Sequence, residues 1–142
     1  MTPESRLKLK SLLTQDESYK QFPYIDTTGN LTVGIGRNLT TRGISLNESL
    51  YLLDEDIQYF LNKLDHLLPF FNSLNEARQI VLVDICFNVG VNGLMQFKRM
   101  LDALEHGDYE CAAHEILDSK AGTVQAHERY NRLATIMKTG HI

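Results

Sequence analysis

The chain has 142 residues, 43% hydrophobic and 23% charged, with a formal net charge of −4. That is enough for one domain with its own apolar core, and a pI near 5.7 argues against a nucleic-acid binder held by phosphates. No apolar run reaches the length of a membrane span, and the polar start TPESRLKLKS has no signal-peptide core.

Thr2-Pro3-Glu4 reads as a helix start: a capping hydroxyl, proline at the first helical position, then an acid at the positive end of the dipole. Leu9, Leu12, Leu13 and Asp16 share one face, and the helix should fray near Ser18, which leaves Glu17 in its last turn. Pro23 blocks further helix. Tyr24-Ile25-Asp26 and Leu31-Thr32-Val33 alternate like paired strands, joined by a turn over 27–30 in which Gly29 and Asn30 tolerate positive φ. The sheet has two or three strands at most, too few to stand alone.

Ser45-Leu46-Asn47-Glu48 is a capping box that opens a long helix with Leu46, Leu50, Leu53, Ile57, Phe60, Leu64 and Leu67 on one stripe. A long helix after a small hairpin lobe predicts a connector to a larger helical lobe. A second capping box, Ser73 to Glu76, opens Ala77–Val89, apolar nearly all round and so expected at the centre of that lobe, with Gly90 as its stop. Three shorter helices follow. Met100, Leu101 and Leu104 mark the first, which Gly107 closes; the next is capped by Asp108; the last comes after a break at Gly122, with Tyr130, Leu133, Ile136 and Met137 inward and Gly140 at its end. Cys86 and Cys111 lie in apolar segments and read as buried free thiols. His66, His106, His114, His127 and His141 lack metal-ligand spacing, so no metal and no cofactor is expected.

One stretch carries chemistry. Glu17 ends a helix, Asp26 ends a strand, and Thr32 stands on the next strand just before Gly34-Ile35-Gly36. Two acids and a hydroxyl so placed are what hydrolysis of a glycosidic bond requires. One acid protonates the leaving oxygen while the other holds and deprotonates a water on the opposite face of the sugar. Singly, these residues are a helix-end carboxylate, a turn aspartate and a strand threonine; only their joint spacing favours catalysis.

That spacing resembles the active-site signature of the phage-type lysozymes, the T-even phage endolysin family (glycoside hydrolase family 24). The likeness continues through Phe87-Asn88-Val89-Gly90, Gly93 to Phe97, Arg129, Arg132 and Lys138-Thr139-Gly140. The resemblance implies an α+β, mostly helical, lysozyme-like domain over 1–142: a small lobe near 14–45, a connector helix near 46–67, and a helical lobe near 70–142 with the N-terminal helix packed on it. It implies Glu17 as general acid, Asp26 as base or stabilising carboxylate, and Thr32 as a holder of the attacking water. Arg129 would pair with Glu17, and Arg132 with Asp16. Asn38, Phe87, Asn88 and Glu115 would line a saccharide groove.

The sequence also departs from the family pattern. Arg37 stands where the family commonly has histidine, so an Arg37–Asp56 pair would replace a histidine–aspartate one. The loop Asn38 to Ile44 is shorter than in the best-known member, and the chain is acidic and lacks tryptophan.

The implied activity is that of an endolysin, a bacteriolytic muramidase that cuts the bond between N-acetylmuramic acid and N-acetylglucosamine with inversion, its two carboxyl groups roughly 6.5–9.5 Å apart. The rival readings are a lytic transglycosylase and a silent peptidoglycan-binding relative. The expected partner is the glycan strand of peptidoglycan, with no nucleic acid and no membrane insertion, and the protein acting as a monomer. Without a signal sequence, it is expected in the host bacterial cytoplasm before release. A separate membrane-permeabilising protein would then give it access to the cell wall in the periplasm.

Overall fold

The structure is a computed structural model that describes residues 1–119 and 127–142, so the break expected at Gly122 falls outside it. It has the mostly helical α+β class expected, 67% helix with one small antiparallel sheet. The chain forms two compact units, Met1–Leu52 and Leu53–Ile142.

In the first unit, α1 (Pro3–Glu17) begins as predicted, with Thr2 Oγ1 accepting the Ser5 N–H at 3.2 Å. It ends at Ser18, whose φ of 61° and ψ of 163° lie in a region that favours glycine. Leu9, Leu12 and Leu13 share a face but stay exposed. Strands β1 (Lys20–Ile25), β2 (Leu31–Gly34) and β3 (Arg37–Asn38) form an antiparallel sheet in that order. Pro23 therefore lies within a strand. It is tolerated because β1 is an edge, and the register is irregular between Lys20 and Tyr24. In the turn only Gly29 takes positive φ (83°); Asn30 does not. Tyr24 faces Thr32, and Thr32 faces Asn38, so the three form one cross-strand row on one face.

Helix α2 (Leu46–Leu67) starts on the expected capping box: Ser45 Oγ accepts the Glu48 N–H at 3.2 Å and Glu48 Oε2 accepts the Ser45 N–H at 2.7 Å. The boundary between the units falls inside this helix. Of its predicted stripe only Leu64 is fully buried, while Phe60 and the unpredicted Leu61 pack partly against the core.

Among the described residues every buried apolar side chain belongs to the second unit. Helix α3 (Glu76–Met95) supplies Val81, Leu82, Val83, Ile85, Cys86 and Leu94. Its start corrects the second capping box. Asn75, not Ser73, is the cap, its Oδ1 accepting the Arg78 N–H at 3.1 Å. Ser73 closes a 3₁₀ turn, Phe71–Ser73, by donating to Phe70 O at 2.6 Å. Gly90 breaks the helical path (φ 75°, ψ 168°) but does not stop it, because helix resumes and runs to Met95. Nor is α3 buried all round, since Ile80 and Phe87 are exposed.

Helices α4 (Lys98–Glu105), α5 (Tyr109–Asp118) and α6 (His127–Thr139) follow, with Asp108 capping α5 through the Cys111 N–H at 3.0 Å. Tyr130, Leu133, Ile136 and Met137 of α6 are buried as expected. Arg78 and Asn75 close its far end by donating to Met137 O at 2.9 Å and Gly140 O at 3.0 Å. Cys86 is buried, which lifts its thiol to about 11, whereas Cys111 is exposed, against expectation.

Candidate functional site

Asp26 is the most constrained carboxylate of the first unit. It follows β1 at the hairpin turn. Its Oδ1 accepts from Thr28 N–H (2.9 Å), Thr28 Oγ1–H (2.8 Å) and Asn30 N–H (2.9 Å). Its Oδ2 meets the Thr32 hydroxyl at a longer 3.3 Å, and that hydroxyl also reaches Asn30 O at 3.2 Å. The Asn30 N–H first, then the Thr28 hydroxyl, hold the Asp26 carboxyl below the usual range. Asp26 is therefore an anion with one oxygen committed to the fold and the other lightly held. Thr32 is only 3% exposed, whereas Asp26 is half-buried.

Glu17 is exposed at the last position of α1. Gly36 takes φ +67°, and a Cβ on it would lie 2.9 Å from Glu17 Oε2 and 3.1 Å from Glu17 Cγ. The glycine thus admits the acid against the backbone, which explains one of the two glycines in that turn. Glycine-like strain at Ser18 lets the chain leave α1 directly after Glu17. Alongside lies a groove of about 920 Å³ whose lining includes Tyr19, Gly36, Asn38, Arg42 and Tyr51. Asn38 Oδ1 accepts the Thr41 N–H at 3.0 Å, which leaves its Nδ2 as the available donor.

Arg37 is found on Glu48, not on Asp56. Its Nη1 donates to Glu48 Oε2 at 2.8 Å and to Gly43 O at 3.1 Å, and its Nη2 to Glu48 Oε1. Glu48 escaped sequence reasoning as a partner because the capping box already accounted for it. One carboxylate serves both, caught between the Ser45 N–H and the guanidinium. Asp56 lies eight residues on, about 12 Å further along the helix. The Arg37 hydrogen bond first, then the Ser45 N–H, pull Glu48 down to about 2.

In the second unit Arg129, expected opposite Glu17, is found on Asp84: its Nε donates to Oδ1 at 2.6 Å and its Nη2 to the Asp84 carbonyl at 2.9 Å. Arg132, Asp16 and Asp56 are exposed. Phe87 lines an apolar groove of about 510 Å³ with Ile57, Leu61, Ile80 and Val83, and the Asp84–Arg129 pair contributes to its lining. Glu115 does not share that groove. It lines a separate depression of about 480 Å³ with Gln96, Phe97 and Arg99. The exposed Asn88 accepts from the Tyr130 hydroxyl at 2.8 Å, a contact that spacing gave no means of anticipating.

Two outcomes follow. In Gly36→Ala, the positive φ costs about 1–2 kcal/mol, and the new methyl meets the Glu17 carboxylate. Denaturant unfolding should show a loss of stability of that order, and an unchanged midpoint would contradict it. Separately, a carboxylate whose pKa is depressed on folding stabilises above its unfolded value and loses that contribution as pH falls. For Glu48 the window runs from 4.5 down to about 2. Glu48→Gln should therefore have a lower Tm than wild type near neutrality and a flatter Tm–pH curve across that window.

The chain matches the phage lysozyme family over residues 14–131. It is 28% identical to the probable T4-type lysozyme 2 of Dictyostelium discoideum and 25% identical to that organism's probable T4-type lysozyme 1. Each match covers 93% of this chain and 94% of the relative. It is also 26% identical to the pre-baseplate central spike protein Gp5 of Enterobacteria phage T4, over 96% of this chain but 28% of that protein. With the match covering most of its length, the chain belongs to the phage lysozyme family.

Proposed function

We propose that this chain is a muramidase that hydrolyses the β-1,4 bond between N-acetylmuramic acid and N-acetylglucosamine in bacterial peptidoglycan, with inversion. The observation that carries the reading is the divided Asp26 carboxylate. Three donors on Oδ1 keep it ionised and fixed, while Oδ2 has a single long contact that a water can displace. In this mechanism Glu17 gives its proton to the leaving oxygen. Asp26 Oδ2 orients a water and takes its proton as it attacks the anomeric carbon, and the Thr32 hydroxyl, released from Oδ2, helps to hold that water. Gly36 sets where the Glu17 carboxyl lies.

Family membership and the lysozyme names of two relatives support the reaction class. The roles given to Glu17, Asp26 and Thr32 belong to this proposal, and the hydrogen bonds of Asp26 and the close approach of Glu17 to Gly36 support them. The further reading is of a phage or prophage endolysin that is made in a bacterial cytoplasm. A separate membrane-permeabilising protein lets it reach the wall, and it acts there as a monomer on glycan strands to lyse the host.

Glu17→Gln removes the proton donor and keeps the shape. Clearing of a peptidoglycan suspension should slow roughly a hundred- to ten-thousand-fold, with Tm unchanged. Full clearing by that variant would remove Glu17 from the mechanism.

A further inference from the structure

The loop that joins β3 to α2 buries no residue, yet hydrogen bonds hold it from Leu39 to Gly43. Leu39 N–H donates to Leu31 O at 2.7 Å, and Thr40 Oγ1 accepts the Leu31 N–H at 2.9 Å. Thr41 N–H donates to Asn38 Oδ1 at 3.0 Å, and Arg42 N–H to Asn38 O at 3.2 Å. Gly43 N–H reaches Leu39 O at 3.2 Å, and Gly43 O accepts from Arg37 Nη1 at 3.1 Å. Arg42 therefore leaves a fixed stretch of backbone, with bonds on both of its neighbours. Its Cα is placed before any ligand arrives, which lowers the entropy lost on binding.

Arg37, Arg42 and Glu48 are the charged side chains that line the groove of about 920 Å³ beside Gly36. Arg37 and Glu48 neutralise each other. Within the first unit no carboxylate pairs with Arg42, whose side chain is exposed. The groove thus carries one uncompensated cation in a chain whose net charge is −4. A guanidinium is a planar fork of donors that matches the two oxygens of a carboxylate. The exposed rings of Tyr19 and Tyr51 also line the groove and offer apolar faces to sugar rings.

We propose that Arg42 is a specificity-determining residue that binds a carboxylate attached to the muramic acid of the substrate. This rests on the hydrolase reading and adds to it the feature by which the strand is chosen. Of the two sugars, muramic acid alone bears a lactyl group. In peptidoglycan that group carries a peptide stem with carboxylates of its own, and once the stem is removed the lactyl carboxylate is free. An uncharged β-1,4 glycan has no partner for Arg42. Gly36 lines the same groove and meets Glu17, so a strand anchored at Arg42 lies alongside the turn that seats the acid.

Steady-state kinetics on three kinds of soluble strand test this: intact strands, strands stripped of peptide by an amidase, and strands whose carboxyl groups are all capped as amides. Wild type, Arg42→Gln and Arg42→Lys are compared, each with its Tm. On intact strands Arg42→Gln should raise KM roughly tenfold, the worth of a charge-assisted hydrogen bond, with kcat and Tm nearly unchanged. Arg42→Lys should recover part of that loss, because it keeps the charge without the fork. On capped strands wild type should itself show the raised KM, and Arg42→Gln should add nothing. A larger penalty on intact strands assigns the carboxylate to the stem, and a larger one on stripped strands assigns it to the lactyl group. A KM for Arg42→Gln like that of wild type on both charged substrates would overturn the proposal alone, as would an equal penalty on capped strands. No turnover of intact strands by wild type would overturn the hydrolase reading and this proposal with it.

Discussion

The small sheet depends on how one carboxylate is shared. Asp26 Oδ1 gathers two backbone N–H groups and a hydroxyl, and this gathering closes the turn that brings β2 back beside β1. The same bonds keep the group ionised and leave Oδ2 facing Thr32. In the hydrolysis proposed for this chain, Oδ1 would serve the fold and Oδ2 the chemistry.

The rest of the first unit follows the same polar logic. Its buried residue among those described is Thr32, not an apolar side chain, so hydrogen bonds and the Arg37–Glu48 ion pair do what a core does elsewhere. Arg37 ties β3 to the loop at Gly43 and to the capping box of α2. The second unit is built the other way. There α3, α4, α5 and α6 bury leucine, isoleucine and methionine, and the polar contacts of Arg78, Arg129 and Tyr130 pin helices that apolar packing already holds together.

Helix positions were legible in the sequence where local chemistry alone determines them: Thr2 before proline, Ser45 with Glu48, Asp108, and the glycines at 107 and 140. The second capping box failed because Ser73 and Asn75 are both good caps two residues apart, and only the 3₁₀ turn decides between them. Ile80 and Phe87 were read as core because composition does not say which side of a helix a groove opens on. The fate of Cys111 turned on the same ambiguity.

At the site, the spacing of Glu17, Asp26, Thr32 and Gly36 carried the reading: Glu17, Asp26 and Gly36 lie at the end of an element or in a tight turn, and Thr32 stands within β2. Partners across elements were not legible. Glu48 was hidden behind its capping role, and Asp84 and Asn88 meet Arg129 and Tyr130 only after some forty residues of intervening chain have folded.

The central claim is that water, held at Asp26 Oδ2, is the nucleophile. Digestion of purified peptidoglycan in heavy-oxygen water, with the new ends trapped at once by borohydride and read by mass spectrometry, tests it directly. The account predicts reduced muramic acid ends that carry the heavy oxygen. Products that end in 1,6-anhydromuramic acid, without label, would contradict it.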